Sequence, residues 1–360
     1  MNNTSEPKAK DLTDFAPRLL EWYRAHARAM PWRIPPHDHL QGVRADPYRV
    51  WLSEIMLQQT QVATVKDYFL KFVALWPDVE DLAAADLEDV LKAWAGLGYY
   101  SRARNLKKCA DQIVQEHGGR FPQTPEGLKA LPGIGDYTAA AIASIAFDVP
   151  EPVVDGNIER VISRYFRVET PFPKAKVQTR DWVAKVLDRN APGEFAQAMM
   201  DLGATVCTPK KPSCMLCPLS ADCGGRLKGD AETFPRKLPK KEKPTRTGAA
   251  FVLLNSRDEV FLCKRGDSGL LAGMTQVPTT NWTASQDGTV DTCEAPVTAD
   301  WQNAGIARHT FTHFHLQLTV YKAVANKQPG IEGWWCPARG IRSEALPKVM
   351  LKAIDIALKH

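Results

Sequence analysis

The spacing of apolar residues changes once along the chain. Before residue 236 it has the period of a helix. In VWLSEIMLQQTQVATVK (50–66) and IERVISRY (158–165) apolar side chains fall at i, i+3, i+4 and i+7. The first of these segments predicts one helix over 50–66. After residue 246 the period drops to two. GAAFVLLNSRDEVFLCKR (248–265) reads as two strands around a turn at Ser256–Asp258. In THFHLQLTVY (312–321), Phe314, Leu316, Leu318 and Val320 alternate with polar neighbours, which predicts a strand. LPKVMLKAIDIAL (346–358) predicts a closing helix. Between the two regimes, RKLPKKEKPTR (236–246) has no apolar period and is rich in proline and lysine, so it reads as an extended, solvated connection. The pattern predicts an all-helical region over residues 12–230, a basic linker over 231–247 and an α/β domain over 248–360. It contains no internal repeat and no low-complexity tract.

Composition changes this picture little. A chain of 360 residues is long for one ordinary domain, and 44% apolar with 24% charged residues is average for a soluble one. No run of 18 apolar residues occurs, which excludes a membrane-spanning helix. The opening MNNTSEPKAKD lacks the apolar core of a signal peptide. The expectation is a cytoplasmic protein, or a nuclear one in a eukaryote. The net charge of +5 is matched by residues 236–246 alone, with six basic residues against one acidic. Charge therefore does not by itself mark a nucleic-acid binder.

Cysteine usage adds chemistry. Four of the eight cysteines, Cys207, Cys214, Cys217 and Cys223, fall within CTPKKPSCMLCPLSADC, spaced Cys-x6-Cys-x2-Cys-x5-Cys. In a reducing compartment clustered thiols bind metal more often than they form disulfides. Four of them suit a tetrahedral zinc or an iron–sulfur cluster. Zinc ribbons usually pair two Cys-x2-Cys knuckles. Here only Cys214 and Cys217 form one, and the long outer gaps wrap a bulkier object more naturally. Cys109, Cys263, Cys293 and Cys336 are scattered.

This loop resembles the 4Fe–4S loop of the helix–hairpin–helix DNA glycosylases, the endonuclease III and MutY families. Other segments agree. LPGIGDYTAAAIASIAF (131–147) sets Gly133 and Gly135 in a tight turn leading into a helix, where backbone N–H groups can approach a phosphate oxygen. A lone pair of glycines would be a plain connection, but two helices around LPGIG resemble the hairpin with which the family grips DNA backbone without reading bases. In the lyase branch a lysine stands two residues after the second glycine. Here that residue is Tyr137, and a phenol cannot form an imine. The resemblance therefore implies base removal without strand cleavage.

Two carboxylates carry the remaining chemistry. Glu54, inside the apolar VWLSEIMLQQT, is either a carboxylate at a solvent edge or paired with arginine, or one buried beside a pocket, where desolvation makes it a general acid. Asp155 in VVDGNIERVISR precedes a helix, where Asp is a good N-cap, and capping would also orient it for chemistry. PYRVWLSEIMLQQTQV (47–62), WAGLGYYSRARNL (94–106), VVDGNIERV (153–161) and FAQAMMDLGATVC (195–207) resemble the MutY family in the same order, over roughly residues 15–225. The resemblance implies that Glu54 protonates adenine at N7 and that Asp155 stabilises the oxocarbenium-like sugar. It assigns Tyr137 and Asn157 to orienting Asp155 and the reacting water, and Arg28, Arg33 and Gln197 to the adenine pocket. Gln59 and Tyr99 match residues that enter the duplex when the adenine is flipped out. The chain departs from the family at the thirteen residues between Arg33 and Pro47, and at Met30, where leucine is usual.

Phe311, Thr312 and His313 resemble the Phe–Ser–His loop with which the family's C-terminal domain inspects 8-oxoguanine, and Thr312 keeps the hydroxyl. His309, His313 and His315 share strand parity. They read as half-exposed strand histidines, with no carboxylate or thiol at ligand spacing. The domain resembles a Nudix (MutT-like) fold that lacks the acidic REUxEExGU box, which implies lesion binding without hydrolysis. The implied partner is double-stranded DNA holding adenine opposite 8-oxoguanine or guanine. The implied cofactor is a 4Fe–4S cluster, and the expected form is a monomer, nucleoid-associated in a bacterium. Lys210 and Lys211 in the thiol loop either touch phosphates or are solvated. Three other readings remain: a pyrimidine-damage glycosylase with lyase activity, a non-catalytic iron–sulfur DNA sensor, and a nucleotide pyrophosphatase with a helical appendage. Tyr137 opposes the first, the presence of Glu54 and Asp155 the second, and the missing acidic box the third.

Overall fold

The structure is a computed structural model that describes residues 12–239, 242–266 and 269–359. The opening MNNTSEPKAKD and the linker residues Lys240 and Lys241 lie outside the described residues. In chain order the helices are α1 (Phe15–His26), α2 (Pro36–Leu40), α3 (Pro47–Leu57), α4 (Val62–Leu75), α5 (Val79–Ala84), α6 (Leu87–Trp94) and α7 (Ser101–His117). They continue with α8 (Pro125–Lys129), α9 (Asp136–Phe147), α10 (Gly156–Phe166), α11 (Lys176–Val186), α12 (Pro192–Thr205), α13 (Gly224–Leu227) and α14 (Lys348–Lys359). The strands are β1 (Thr245–Leu254), β2 (Glu259–Lys264), β3 (Thr275–Gln276), β4 (Gln302–Thr310), β5 (His315–Val324) and β6 (Trp334–Pro337). Contacts divide the chain into two units, one of residues 1–84 with 108–239 and one of residues 85–107 with 240–360.

The first unit is helical because its apolar residues keep to single faces. On α10, Ile158, Val161, Ile162 and Tyr165 are all buried. They share a core with Phe15, Leu19 and Tyr23 of α1 and with Phe195, Met199 and Leu202 of α12. Each such side chain contributes about 1.5–3 kcal/mol by leaving water. Two glycines let α12 sit against its neighbours. A Cβ on Gly193 would lie 2.6 Å from the Ser144 carbonyl oxygen of α9, and one on Gly203 would lie 2.6 Å from the Asn157 Cβ of α10.

The single helix expected over 50–66 is two. α3 starts with Pro47 in its first turn and the Asp46 side chain accepting from the Tyr48 N–H, and it ends at Leu57. α4 begins at Val62, and Gln59 between them has a φ of 57°. The polar run Gln58–Gln61 has no apolar side chain to continue the buried face. Instead Gln58, Gln59 and Thr60 turn toward a cavity.

The second unit is built on a six-stranded sheet of order β3-β2-β1-β5-β4, with β6 pairing to β2. β1 and β5 are parallel, in register from Thr245 opposite His315 to Leu254 opposite Val324, and the other pairs are antiparallel. α14 lays Val349, Met350, Ala353 and Ile354 on Val252, Leu254, Leu316, Leu318 and Val320. The opposite face of the sheet, with Leu253 and Phe261, is covered by Val297 and Trp301. Residues 85–107 pack here: the Arg104 guanidinium donates to the Ala272 carbonyl at 2.6 Å.

The alternation at Phe314, Leu316, Leu318 and Val320 is borne out, since all four are buried. The strand itself starts later than expected, at His315. Thr310 of β4 pairs with His315 of β5, which leaves residues 311–314 for the reversal, closed by the Phe311 N–H on the Phe314 carbonyl at 2.9 Å. His313 is therefore a turn residue and does not share strand parity with His309 and His315.

Gly193→Ala pits two effects against each other. Alanine gains about 1 kcal/mol of helix propensity, while overpacking against a backbone oxygen costs about 1–3 kcal/mol. The steric cost should win, and the urea midpoint of the full chain should fall. An unchanged or raised midpoint would show that α9 and α12 can separate freely.

Candidate active site

A cavity of about 350 Å³ opens in the first unit between α3, α9, α10 and α12. Glu54, Tyr137, Asp155 and Asn157 line it, and so do Arg28, Arg33, Gln59 and Gln197. Met30 and Trp32 complete its apolar wall.

Glu54 comes from the buried face of α3 and is 6% exposed. Its carboxyl accepts a hydrogen bond from the Tyr137 hydroxyl at 2.7 Å. Burial pushes the Glu54 carboxyl up to about 7, and the neighbouring Asp155 charge adds to this, while the phenol and Arg33 oppose it. Burial holds the Tyr137 phenol well above its ordinary range, so it stays a donor. Tyr137 thus bonds to Glu54, and the group that bonds to Asp155 is Asn157.

Asp155 is the N-cap of α10. Its carboxylate accepts from the N–H groups of Asn157 and Ile158 at 2.9 and 2.7 Å, and from the Asn157 side-chain amide at 2.8 Å. Burial raises its pKa, and these donors pull it back. One carboxyl thus has a single phenol donor in an apolar wall, and the other has three N–H donors. Such an asymmetry separates an acid from a charge-stabilising carboxylate.

Arg28 and Arg33 converge on Asp201, which is 0% exposed. Arg28 Nε lies 2.7 Å from Asp201 Oδ1, and Arg33 Nη1 lies 2.8 and 2.9 Å from the two carboxylate oxygens. The thirteen residues between Arg33 and Pro47 leave this arrangement intact. They form α2, tie Arg44 to Asp148 at 2.6 Å and supply the cap of α3.

Cys207, Cys214, Cys217 and Cys223 line one cavity with Arg164 and Arg226, and none is in a disulfide. Among the described residues, no three His, Cys, Asp or Glu side chains are close enough to hold a single metal ion. Four thiols around a shared space are the donor set that an iron–sulfur cluster takes. Arg164 is 1% exposed and donates to the Thr208 and Pro209 carbonyls at 2.7 and 3.0 Å and to Cys207 Sγ at 3.3 Å. Lys210 and Lys211 are exposed. The hairpin joins α8 to α9. Gly133 has a φ of 78°, which favours glycine, and Gly135 caps α9 with open space where a Cβ would stand.

The remaining candidates lie in the second unit. Tyr99 has a φ of 49°, follows Gly98 at 73°, and is 46% exposed. Arg102 holds this turn, donating to the Leu97 and Gly98 carbonyls at 3.3 and 3.1 Å with its guanidinium 5.5 Å from the Tyr99 ring centre. The Tyr99 hydroxyl bonds to Thr312 Oγ1 at 3.1 Å. Thr312 and His313 are exposed at the β4–β5 turn, whereas Phe311 stacks on Phe314 at 4.8 Å.

Family models match twice. Residues 52–185 fit the HhH-GPD superfamily of base excision DNA repair proteins, and residues 249–355 fit the NUDIX domain. The adenine DNA glycosylase of Homo sapiens is 36% identical, over 86% of this chain and 67% of its own length. That of Buchnera aphidicola subsp. Schizaphis graminum is 30% identical, over 95% and 98%. The chain belongs to the adenine DNA glycosylase family. It is accordingly an enzyme of base excision repair that acts on N-glycosyl bonds. Among solved structures, a thermostable thymine-DNA glycosylase is similar with a TM-score of 0.53 and 29% identity, covering 60% of this chain and 97% of that one. An endonuclease III bound non-covalently to DNA, at 22% identity and a TM-score of 0.50 over 61% and 99%, shares the fold.

Two residues of this glycosylase escaped the sequence reading. Asp201 stands four positions after Gln197, and Arg160 stands three after Asn157, so each shares a helix face with a candidate. Arg160 donates to Asn157 Oδ1 at 2.9 Å and to the Cys207 carbonyl at 2.7 Å. Asn157 in turn holds Asp155. Arg160→Gln breaks this chain. Hydrogen bonds to charged groups are worth about 1.5–3 kcal/mol, so single-turnover excision should slow about ten-fold or more. An unchanged rate would mean that Asn157 orients Asp155 unaided.

Proposed function

We propose that this enzyme removes adenine paired with 8-oxoguanine or guanine in duplex DNA by hydrolysis alone, leaving the strand intact. The observation that carries the reading is the cavity wall. No lysine lines it among the described residues, and the position facing Glu54 holds the Tyr137 phenol, which cannot form an imine.

In this reading the adenine leaves the base stack and enters the cavity. The protonated Glu54 carboxyl gives its proton to N7. The bond between N9 and C1′ then breaks with its electron pair going to the base, and the Asp155 carboxylate stabilises the cation left on the sugar. Water adds to C1′. Asp201 keeps Arg28 and Arg33 spread along the cavity wall, and Gln197 faces the base from the same helix. Gln59 and Tyr99, both exposed on left-handed backbone, are the groups that enter the duplex. Such backbone costs about 1–3 kcal/mol and is concentrated at functional positions. Thr312 and His313, exposed beside the Tyr99 hydroxyl, inspect the opposite base.

Cys207, Cys214, Cys217 and Cys223 would hold a 4Fe–4S cluster, with Arg164 beside one ligand. When bound, it supplies metal–thiolate bonds that fold residues 207–223. Glycines 133 and 135 would meet a phosphate. The site geometry and the family support this reading.

Cleavage of duplexes with adenine opposite 8-oxoguanine, guanine or thymine tests the proposal, with and without hot alkali. Breaks should appear only after alkali, fastest opposite 8-oxoguanine and slowest opposite thymine. Breaks without alkali would mean that an amine performs a lyase step. Equal rates opposite all three bases would refute inspection of the partner base.

A further inference from the structure

The β4–β5 turn is steadied by two ammonium groups from outside the hairpin. Lys243 Nζ donates to the Phe311 carbonyl at 3.0 Å, and Lys352 Nζ donates to the Arg308 carbonyl at 3.0 Å. Each ammonium keeps further N–H groups for other acceptors. Lys348 lies one turn before Lys352 on the exposed side of α14. α14 packs on β4, the strand that leads into the turn, and burial with the nearby charges of Lys352 and Lys348 holds His309 of that strand below its ordinary range.

No described carboxylate pairs with this group. Among the described residues, none of the ion pairs includes Lys243, Lys348 or Lys352. Asp355, the one acid on α14, is taken by Arg342 at 3.1 Å. Among the other described cations of the unit, Arg246, Arg257 and Lys264 each lie against a carboxylate, while Arg308, Lys322 and Arg339 enter no such pair. An exposed lysine is usually just solvated, but two of these three are fixed at the edge of one turn and left without a counter-charge.

We propose that Lys243, Lys348 and Lys352 form a phosphodiester-binding surface beside the β4–β5 turn, which holds the backbone of the strand that the turn inspects. The role of the turn rests on the function proposed above; the surface itself does not. Duplex DNA carries a charge about every 1.7 Å along its axis, so any strand whose base reaches Thr312 and His313 brings phosphates near the turn. Lysines act on them as point charges and read no sequence.

The test is the salt dependence of binding by the full chain, read by fluorescence anisotropy. The probe is a duplex with a non-hydrolysable 2′-fluoro adenine nucleotide opposite 8-oxoguanine. In the double variant Lys348→Gln, Lys352→Gln, losing two contacts should reduce the slope of log K against log salt by about 2. The affinity ratio between about 50 mM and about 200 mM salt should then narrow about ten-fold. Lys352→Arg, which keeps charge and donors, should retain the slope. Single-turnover excision by the saturating double variant is read alongside. An unchanged slope overturns the proposal. So does an unchanged slope with slowed excision, which would make the lysines mere braces of the turn. If the unsubstituted protein excised no adenine but the slope still fell, the surface would stand and the substrate reading would fail.

Discussion

The cavity is organised around one desolvated carboxyl. Glu54 sits on the buried face of α3, where an ionised carboxylate loses its hydration and gains only one hydrogen bond, from Tyr137. That imbalance keeps much of the group protonated at neutral pH. Asp155, in the same cavity, is given the opposite treatment by a helix start: two backbone N–H groups and the Asn157 amide fix its charge and its direction. The N-cap of α10 is thus a carboxylate that lines the cavity.

Arginines, half-buried at 28 and 33 and buried at 160 and 164, position the rest. Asp201 receives Arg28 and Arg33 and is fully enclosed, so the three charges are arranged by mutual need. Removing Asp201 would leave Arg28 and Arg33 side by side without their shared counter-charge. Arg160 joins Asn157 to the Cys207 carbonyl, and Arg164 gathers the carbonyls of residues 208 and 209. The thiol loop and the Asp155 carboxylate therefore hang on neighbouring turns of α10. The close approach of Gly203 to Asn157 keeps them there.

Much of this was visible in the residue pattern. The change from helical period to alternation marked the two kinds of architecture, and burial of Phe314, Leu316, Leu318 and Val320 followed from it directly. The motifs pointed to Glu54, Asp155, Tyr137 and Asn157, which the structure gathers in one cavity. What the pattern could not show were the interruptions. The helical pattern spanned Gln58–Gln61, but Gln58, Gln59 and Thr60 face the cavity. Alternation was read from Thr312 onward, but the pairing of Thr310 with His315 needs residues 311–314 for a reversal. Asp201 and Arg160 stayed hidden for another reason. Each acts through a partner on a different helix or loop, and only packing brings the partners together.

The pH dependence of single-turnover excision probes the central feature, a carboxyl kept protonated by burial. An acid must carry its proton, and the folded Glu54 pKa of about 7 stands above its ordinary value of 4.5. Excision should therefore hold a plateau below that pH and fall about ten-fold per pH unit above it. A falling limb near 4.5, or a rate level through the alkaline range, would show that the buried carboxyl of Glu54 is not the acid.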